Sequence, residues 1–411
     1  MPSTERHATD RRRFRIGPGA VVAAAFIGPG TVTTATLAGV GFGYTLLWAL
    51  TFSLLATLVL QEMAARLGLV TGEGLGEAVR SRFSRPAARL VAVSLVIGAI
   101  GFGNAAYETG NLLGAALGAR AVWGGLTASQ WAVGAGLVAF LLLRTGRYVV
   151  VERVLVVLVG LMSVAFLATA ALVRPPLAEV LAGLFLPRVP GGAGLLYVAG
   201  LVGTTVVPYN LFLHASAVRE RWSGPEDLPA ARFDLGVSIV VGALVSMAIV
   251  ATSATMAGPG GPTGIDSAAD MAVQLEPLLG PAARGFFAAG LLAAGLTSAI
   301  TAPLAAAYAT AGALGWPRDL RDLRLRVVWM IVLAAGIVFA GLGVRPVPAI
   351  LFAQVANGVL LPFIALFLLL GVNDTRRMGD RANGPAMNVA GAAVVLLALA
   401  LGLRALWSAL G

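Results

Sequence analysis

The sequence predicts an all-α integral membrane protein with about eleven transmembrane helices. Of its 411 residues, 58% are hydrophobic and only 12% are charged, whereas about a quarter of the residues of a soluble protein are charged. Apolar runs of about 20 residues recur along the chain, which is the length a helix needs to cross the hydrocarbon of a bilayer. The runs are continuous rather than alternating. They therefore predict helices and not a closed barrel, the other structure that spans a membrane.

The eleven predicted spans are separated by short connections rich in Gly, Pro and Arg. They fall near 17–41, 45–68, 90–117, 128–146, 150–173, 192–218, 232–257, 281–312, 325–344, 347–372 and 385–409. Residues 1–16 form an N-terminal segment, and residues 17–411 form a single transmembrane domain. The loop at 256–277 is long enough to hold a short helix.

The arginines predict how the chain is oriented in the membrane. The chain has no Lys, and 23 of its 29 Arg fall in the N-terminal segment or in connections on the same side of the membrane. Such an excess in short loops marks the cytoplasmic side. We therefore predict a multi-pass protein of a bacterial-type inner membrane, with its N-terminus in the cytoplasm and its C-terminus outside.

Composition also bounds the chemistry. The chain has no Cys and only two His, which excludes disulfides, thiolate metal sites and multi-histidine metal centres. The net charge of +10 comes from loop arginines and does not predict nucleic-acid binding. We predict neither an enzyme nor a bound cofactor. No nucleotide-binding motif is present, so the energy for transport should come from an ion gradient.

Two spans carry helix-breaking residues at matching places. Span one contains Gly28-Pro29-Gly30 within AAAFIGPGTVTTATLAGVGFGY (23–44), and span six contains Pro208 within LVGTTVVPYN (201–210). Proline removes a backbone donor and clashes with the preceding turn. Paired breaks indicate an inverted-repeat secondary transporter that binds its substrate where two discontinuous helices meet. The repeats would cover about 17–173 and 192–372, with an extra helix at 385–409. The simpler alternative is a pair of proline kinks.

Glu108 is the one carboxylate well inside a predicted span. The spacing i, i+3, i+4, i+7, which marks one helical face, is found at Asn104, Tyr107, Glu108 and Asn111. An ionisable group inside the membrane is costly and commonly functional. Glu108 is therefore a candidate proton relay or counter-ion, and the alternative is a protonated Glu in a structural hydrogen bond.

Five stretches resemble the Nramp family of proton-coupled divalent-metal transporters. They are GPGAVVAAAFIGPGTVTTATLAGVGFGY (17–44), LQEMAARLGLVTGEGLGEAVR (60–80), PYNLFLH (208–214), LEPLLGPAARGFFAAGLLAAGLTSAITAPLA (275–305) and AQVANGVLLPF (353–363). The resemblance extends over the whole chain. The resemblance implies the LeuT-type fold with a five-plus-five inverted repeat, alternating access, and coupling to a proton gradient.

The chain departs from that family at the residues that bind the metal. Where the family has Asp-Pro-Gly-Asn, this sequence has Gly28-Pro29-Gly30-Thr31. The family's Ala-x-x-Met becomes Thr204 to Val207, and its next His becomes Tyr209. Of two acids in the family's third span, the first is Ala105 and only Glu108 remains. The positions retained are Pro208, Asn210, His214 and Gln354.

These comparisons give the candidate site residues. The substrate-binding candidates are Gly28, Gly30, Thr31, Thr34, Thr204, Thr205, Val207, Tyr209, Gln354 and Asn357. None of the family's usual metal-binding side chains remains in spans one and six, so Thr31 and Gln354 are the candidates for direct contact with an ion. Glu108 and His214 are the candidates for proton coupling, although His214 alternatively has a structural role.

Three functions remain open on the sequence. The first is metal-ion transport with altered selectivity. The second is symport of a small organic acid or amino acid held at the bare half-helix N-terminus that begins at Gly30, where free N–H groups and the helix dipole attract anions. The third is a channel-like or sensing protein that no longer cycles. The expected partners are therefore a metal ion or small solute and membrane lipid, without nucleic acid. The sequence is compatible with a monomer and sets no oligomeric state.

Overall fold

The structure is a computed structural model that describes residues 27–145, 148–191, 194–256, 264–317, 319 and 321–410. Every regular element within these residues is helical. In chain order the α-helices are α1 Pro29–Phe42, α2 Leu47–Thr71, α3 Leu75–Arg82, α4 Pro86–Trp123, α5 Ala128–Thr145, α6 Tyr148–Val173, α7 Leu177–Phe185, α8 Gly194–Thr205, α9 Pro208–Arg221, α10 Leu228–Ala254, α11 Ala268–Ala272, α12 Glu276–Leu279, α13 Ala283–Leu314, α14 Leu323–Gly341, α15 Pro346–Val372, α16 Thr375–Met378 and α17 Pro385–Leu410. Short 3-10 turns lie at Pro225–Asp227, Val273–Leu275, Gly280–Ala282 and Gly379–Arg381.

The predicted spans agree with these helices. Ten helical segments of the described residues are long and apolar enough to cross a membrane, and α8 with α9 forms one of them. Span one, predicted at 17–41, is described only from Ile27 and contains α1. The predicted all-α membrane fold is thus confirmed, whereas the predicted boundaries of the two repeats are not tested by these elements and stay predictions.

Proline and glycine set many of the helix ends. Proline stands at the first position of α1, α4, α9, α15 and α17. The backbone N–H at this position has no acceptor within the helix, so its absence in proline costs no hydrogen bond. Gly72 and Gly315 end α2 and α13 with φ of 66° and 73°, a left-handed conformation that glycine adopts without strain. The largest difference from prediction is α4, which at 38 residues extends beyond 90–117, because no proline follows Pro86 before the helix ends at Gly124.

The loop predicted to hold a short helix does hold one. Residues 268–279 form α11, a 3-10 turn and α12, and Ser267 caps α11 by accepting a hydrogen bond from the Asp270 amide. Gln274 of this loop donates to the Thr36 hydroxyl of α1 at 2.9 Å and accepts from the Thr252 hydroxyl at 3.0 Å. The loop is therefore fixed against α1 and α10.

Glycine and alanine allow the central helices to pack so closely that the backbone of one helix contacts the backbone of the next. A Cβ added to Gly118 of α4 would lie 2.5 Å from the Ala288 carbonyl oxygen of α13, and one added to Gly295 would lie 2.5 Å from the Ala115 amide. The outer faces are instead apolar and exposed, as at Leu90. Close approach through small residues and apolar outer surfaces are typical of helix bundles in lipid.

Candidate functional site

The break in span one precedes α1. Gly28 has extended backbone, with φ of −103° and ψ of −175°, and Pro29 is the first helical residue. Because a helix leaves its first amides without intrahelical acceptors, this end of α1 presents free N–H groups. Residues 28–36 are all buried, so the break lies inside the protein and not at its surface.

The break in span six separates α8 from α9. Helix α8 ends at Thr205, and α9 begins at Pro208 after Val207, whose backbone is extended with φ of −73° and ψ of 122°. Val206 and Val207 are each only 1% exposed. Pro208 cannot donate to the preceding turn, so the chain leaves the helix at the position predicted from the sequence.

A hydrogen bond joins the two breaks directly. The Thr31 and Thr204 hydroxyl oxygens lie 2.7 Å apart, although 173 residues separate them in sequence. One turn further along α1, the Thr34 methyl group packs on Gly200 of α8, where an added Cβ would lie 3.2 Å away. The prediction that span one and span six meet at their breaks describes this arrangement correctly.

Helix α15 brings amide side chains to the same place. The Gln354 amide rests directly against Gly30, so closely that an added Cβ would overlap it. The backbone of Gln354 in turn contacts Gly203 of α8. Asn357 follows Gln354 by nearly one turn, and both side chains are buried. Gln354 therefore lies at the first break, and the Asn357 Oδ1 on the same helix lies 3.5 Å from the Cβ position of Gly103 in α4.

Unpaired polar atoms are concentrated around the breaks. Within the described residues, no hydrogen-bond partner is found for the buried Thr34 Oγ1, Tyr209 hydroxyl, Asn210 Oδ1 and Nδ2, Gln354 Oε1 or Asn357 Nδ2. Each buried polar group left unpaired costs roughly 1–3 kcal/mol. A cluster of them is therefore typical of a site that binds a polar solute, an ion or water.

Two of the predicted substrate-binding residues, Thr205 and Val207, have local roles in the helices that flank the second break. The Thr205 hydroxyl donates to the Leu201 carbonyl at 2.9 Å, which is the back-bonding common for Thr in membrane helices. Val207 is the N-cap of α9 and offers an apolar side chain. Thr204, by contrast, contacts the opposite break through Thr31.

Two residues that were not predicted as site residues lie at the first break. A Cβ built on Gly28 would be 2.9 Å from the Ser298 Oγ and 3.6 Å from the Tyr107 hydroxyl oxygen. Sequence patterns gave no signal for Ser298, which lies in an Ala- and Gly-rich span. Tyr107 was seen only as a neighbour of Glu108. Asn210, one helical position past Tyr209, was recognised as a retained residue without being given a role.

Glu108 lies beside the breaks rather than in them. It is fully buried, its Oε2 accepts a hydrogen bond from Asn111 Nδ2 at 3.3 Å, and no partner is found for its Oε1 among the described residues. Its side chain packs on Gly336 of α14, whereas Tyr107 points to Gly28. The predicted single face of α4 is thus two adjoining faces, because consecutive helical residues are about 100° apart.

His214 is the second predicted coupling residue. It is fully buried in α9, and its Nδ1 lies 2.9 Å from the Gln61 Oε1 of α2. No partner is found for its Nε2 among the described residues. This contact joins α9 to α2, six residues after the break at Pro208. The role of His214 in proton coupling stays a prediction.

The donor set at the breaks consists of neutral oxygens. It comprises the hydroxyls of Thr31, Thr34, Thr204 and Tyr209 and the side-chain amides of Asn210, Gln354 and Asn357. The described residues contain no group of three or more His, Cys, Asp and Glu that would hold a metal ion. Hydroxyl and carbonyl oxygens suit hard cations, whereas Mn²⁺ and Fe²⁺ also accept nitrogen and sulfur ligands.

Comparisons with known proteins agree with the resemblance. The family model described as natural resistance-associated macrophage protein-like matches residues 19–408. A divalent metal cation transporter, MntH, of Klebsiella pneumoniae is 30% identical over 403 residues, covering 97% of this chain and 95% of that protein.

Solved structures share the fold. The manganese transporter of Eremococcus coleocola, in complex with an aromatic bis-isothiourea compound, superposes with a TM-score of 0.76 at 24% identity, covering 94% of this chain and 85% of that one. MhsT in complex with L-phenylalanine gives a TM-score of 0.59 at 16% identity, covering 95% of this chain and 98% of that one. The described helices therefore adopt the LeuT-type fold.

Proposed function

This chain belongs to the Nramp family, and from that premise we propose that it is a secondary-active transporter of divalent metal ions with altered selectivity. The observation that carries the proposal is the meeting of the two breaks through Thr31 and Thr204, with the Gln354 amide against Gly30 beside them. Backbone irregularity inside a membrane is tolerated where it surrounds a solute or water. The ion crosses unchanged, so no chemical step is proposed.

The neutral donor set favours a hard ion that keeps part of its water shell. Mg²⁺ dehydrates reluctantly and is commonly bound through its waters, and hydroxyls and amide oxygens both accept hydrogen bonds from such waters. A fully dehydrated Mn²⁺ or Fe²⁺ would lack the anionic or soft ligand that compensates for dehydration. We therefore propose that Mg²⁺ is carried in preference to Mn²⁺.

The organic-acid alternative is not favoured. A substrate carboxylate would occupy the N-terminus of α1, but Gln354 already lies against Gly30 at that point. Thr31, which would complete an anion cradle, has its hydroxyl next to that of Thr204. The full-length relative described above is a metal transporter, whereas the amino-acid-bound structure is similar in fold alone.

The proposal extends to proton coupling, to the orientation of the chain in the membrane and to its oligomeric state. Glu108 and His214 are the proposed proton-coupling residues, and a proton gradient is the proposed energy source, with no bound cofactor. The Arg distribution supports a cytoplasmic N-terminus and an external C-terminus in a plasma membrane. A monomer is proposed as the working unit, because both breaks come from one chain.

Uptake into proteoliposomes tests the proposal. We expect saturable Mg²⁺ uptake by the unmodified protein that exceeds Mn²⁺ uptake, each followed with an ion-sensitive dye inside the vesicles. The triple variant Gly28→Asp, Thr31→Asn, Val207→Met adds a carboxylate and a thioether. It should shift the preference toward Mn²⁺ by about tenfold, which corresponds to about 1.4 kcal/mol.

The matched control is Val237→Met on the lipid-facing side of α10, where the side chain is 49% exposed. This variant should transport like the unmodified protein. If the unmodified protein carried neither ion while the triple variant carried Mn²⁺, native metal transport would be refuted. Organic acids and amino acids would then be screened, and passive flux without accumulation would indicate a channel.

Gly30→Ala provides a second prediction. The added methyl group would overlap the Gln354 amide, and this flexible side chain would have to leave the break. Losing one such ligand should lower the apparent affinity for Mg²⁺ about tenfold, measured as the KM of uptake. Gly41→Ala in the same helix is the control, because an added Cβ there meets nothing within 4 Å. An unchanged KM in Gly30→Ala would remove Gln354 from the proposed site.

A further inference from the structure

We infer that Tyr107 and Ser298 complete the ion site at the first break and help set its preference for a partly hydrated divalent cation. The inference rests on the proposed function and adds two specificity-determining residues to it. Neither residue lies in a broken helix: Tyr107 belongs to α4 and Ser298 to α13. Their hydroxyl oxygens both approach the Cβ position of Gly28.

The geometry around Gly28 carries the inference. The Ser298 Oγ is 2.9 Å and the Tyr107 hydroxyl oxygen is 3.6 Å from the Cβ position of Gly28. Ser298 is 2% exposed, and Tyr107 is fully buried. Together with Thr31, which follows three residues later, these hydroxyls surround the start of α1 with neutral oxygens.

Tyr107 is placed so that it contacts both breaks. Its hydroxyl approaches Gly28, while its ring meets the ring of Tyr209 edge to face at 5.5 Å and 67°. Tyr209 is the second residue of α9, and its side chain is 1% exposed. Edge-to-face packing orients a ring, so Tyr209 holds the Tyr107 hydroxyl toward the site.

The chemistry of these two groups fits water-mediated binding. A hydroxyl accepts hydrogen bonds and carries no charge. It therefore binds the water shell of a cation without providing the anionic ligand that compensates for full dehydration. The site discriminates by retaining the waters of Mg²⁺, and the Ser298 Oγ, 2.9 Å from the Cβ position of Gly28, crowds any larger side chain there.

Two hydroxyl deletions test the inference. Tyr107→Phe keeps the ring and Ser298→Ala keeps the Cβ, so each removes one oxygen with little change of packing. The expected result is a KM for Mg²⁺ uptake raised about fivefold to tenfold in each variant, with kcat and the thermal melting temperature little changed. Tyr197→Phe and Ser163→Ala are the matched controls. Tyr197 packs on Phe42, and the Ser163 hydroxyl donates to the Val159 carbonyl.

A double variant, Gly28→Asp with Ser298→Ala, tests the inference through a gain of Mn²⁺ uptake rather than through a loss of Mg²⁺ uptake. Gly28→Asp alone is crowded by the Ser298 Oγ at 2.9 Å, whereas in Ser298→Ala the nearest atoms are the Tyr107 hydroxyl oxygen at 3.6 Å and the Cβ of residue 298 at 3.9 Å. The double variant should therefore take up Mn²⁺ several-fold better than Gly28→Asp alone. If the unmodified protein carries Mg²⁺ but both hydroxyl deletions keep its KM, this inference is wrong and the proposed function stands. If the unmodified protein carries neither ion, both are wrong.

Discussion

Glu108→Gln should abolish proton entry driven by Mg²⁺ uptake, with at least a roughly tenfold loss relative to the unmodified protein. Glu108 is fully buried in α4, and its Oε1 has no partner among the described residues. Removing a carboxyl group from water is costly, and a group retained at such a cost is a candidate for carrying protons. Glutamine has nearly the same shape and can still contact Asn111 and Gly336, but it cannot release a proton.

The measurement is acidification of proteoliposomes on addition of Mg²⁺, read with a pH-sensitive dye. Glu179→Gln is the matched control, because Glu179 is an exposed carboxyl on α7. Glu108→Asp keeps the carboxyl on a shorter side chain and should restore part of the signal. Unchanged acidification in Glu108→Gln would exclude Glu108 from the proton route, leaving a structural hydrogen bond to Asn111 as its role.

Gly203→Ala should strongly destabilise the folded protein. The added methyl group would overlap the Gln354 carbonyl oxygen and lie 2.5 Å from the Gly358 amide nitrogen. These are backbone atoms that cannot rotate away, so α8 and α15 would have to separate. Overpacking a well-packed site costs about 1–3 kcal/mol and sometimes more. Here the upper end is expected, because two helices must move.

Thermal unfolding and size-exclusion chromatography in detergent measure this effect. We expect a clearly lowered melting temperature and an aggregated fraction for Gly203→Ala. Gly236→Ala in α10 is the control, because an added Cβ there meets nothing within 4 Å and alanine is the better helix former. A Gly203→Ala protein with the normal melting temperature would show that α8 and α15 can separate at little cost.

Hydropathy and proline placement were sufficient to predict the secondary structure. Every predicted span has a helix within a few residues of its ends, except for α4, which is longer, and span one, which is described only from Ile27. The breaks at Pro29 and Pro208 were predicted because proline lacks a backbone donor, which is a local property. The Nramp resemblance added the LeuT-type fold, which composition alone did not give.

The contacts within the site were less predictable. Three of the candidates predicted from the sequence, Thr31, Thr204 and Gln354, do lie together. The prediction also included Thr205, whose hydroxyl bonds within its own helix, and it missed Ser298. Membrane spans are apolar on nearly every side, so periodicity does not reveal which face of a helix turns toward its neighbours.

The order of residues alone is enough to predict that this chain crosses the membrane many times, that spans one and six are broken, and that the usual metal ligands are absent. Those features depend on local chemistry: the length of apolar runs, the missing N–H of proline and the identity of single residues. That Tyr107 and Ser298 meet at Gly28, while Glu108 turns toward α14, becomes visible only when the helices are packed together. The physical reason is that the rotation and depth of each helix are fixed by close packing at small residues such as Gly203 and Gly336, between segments far apart in the chain.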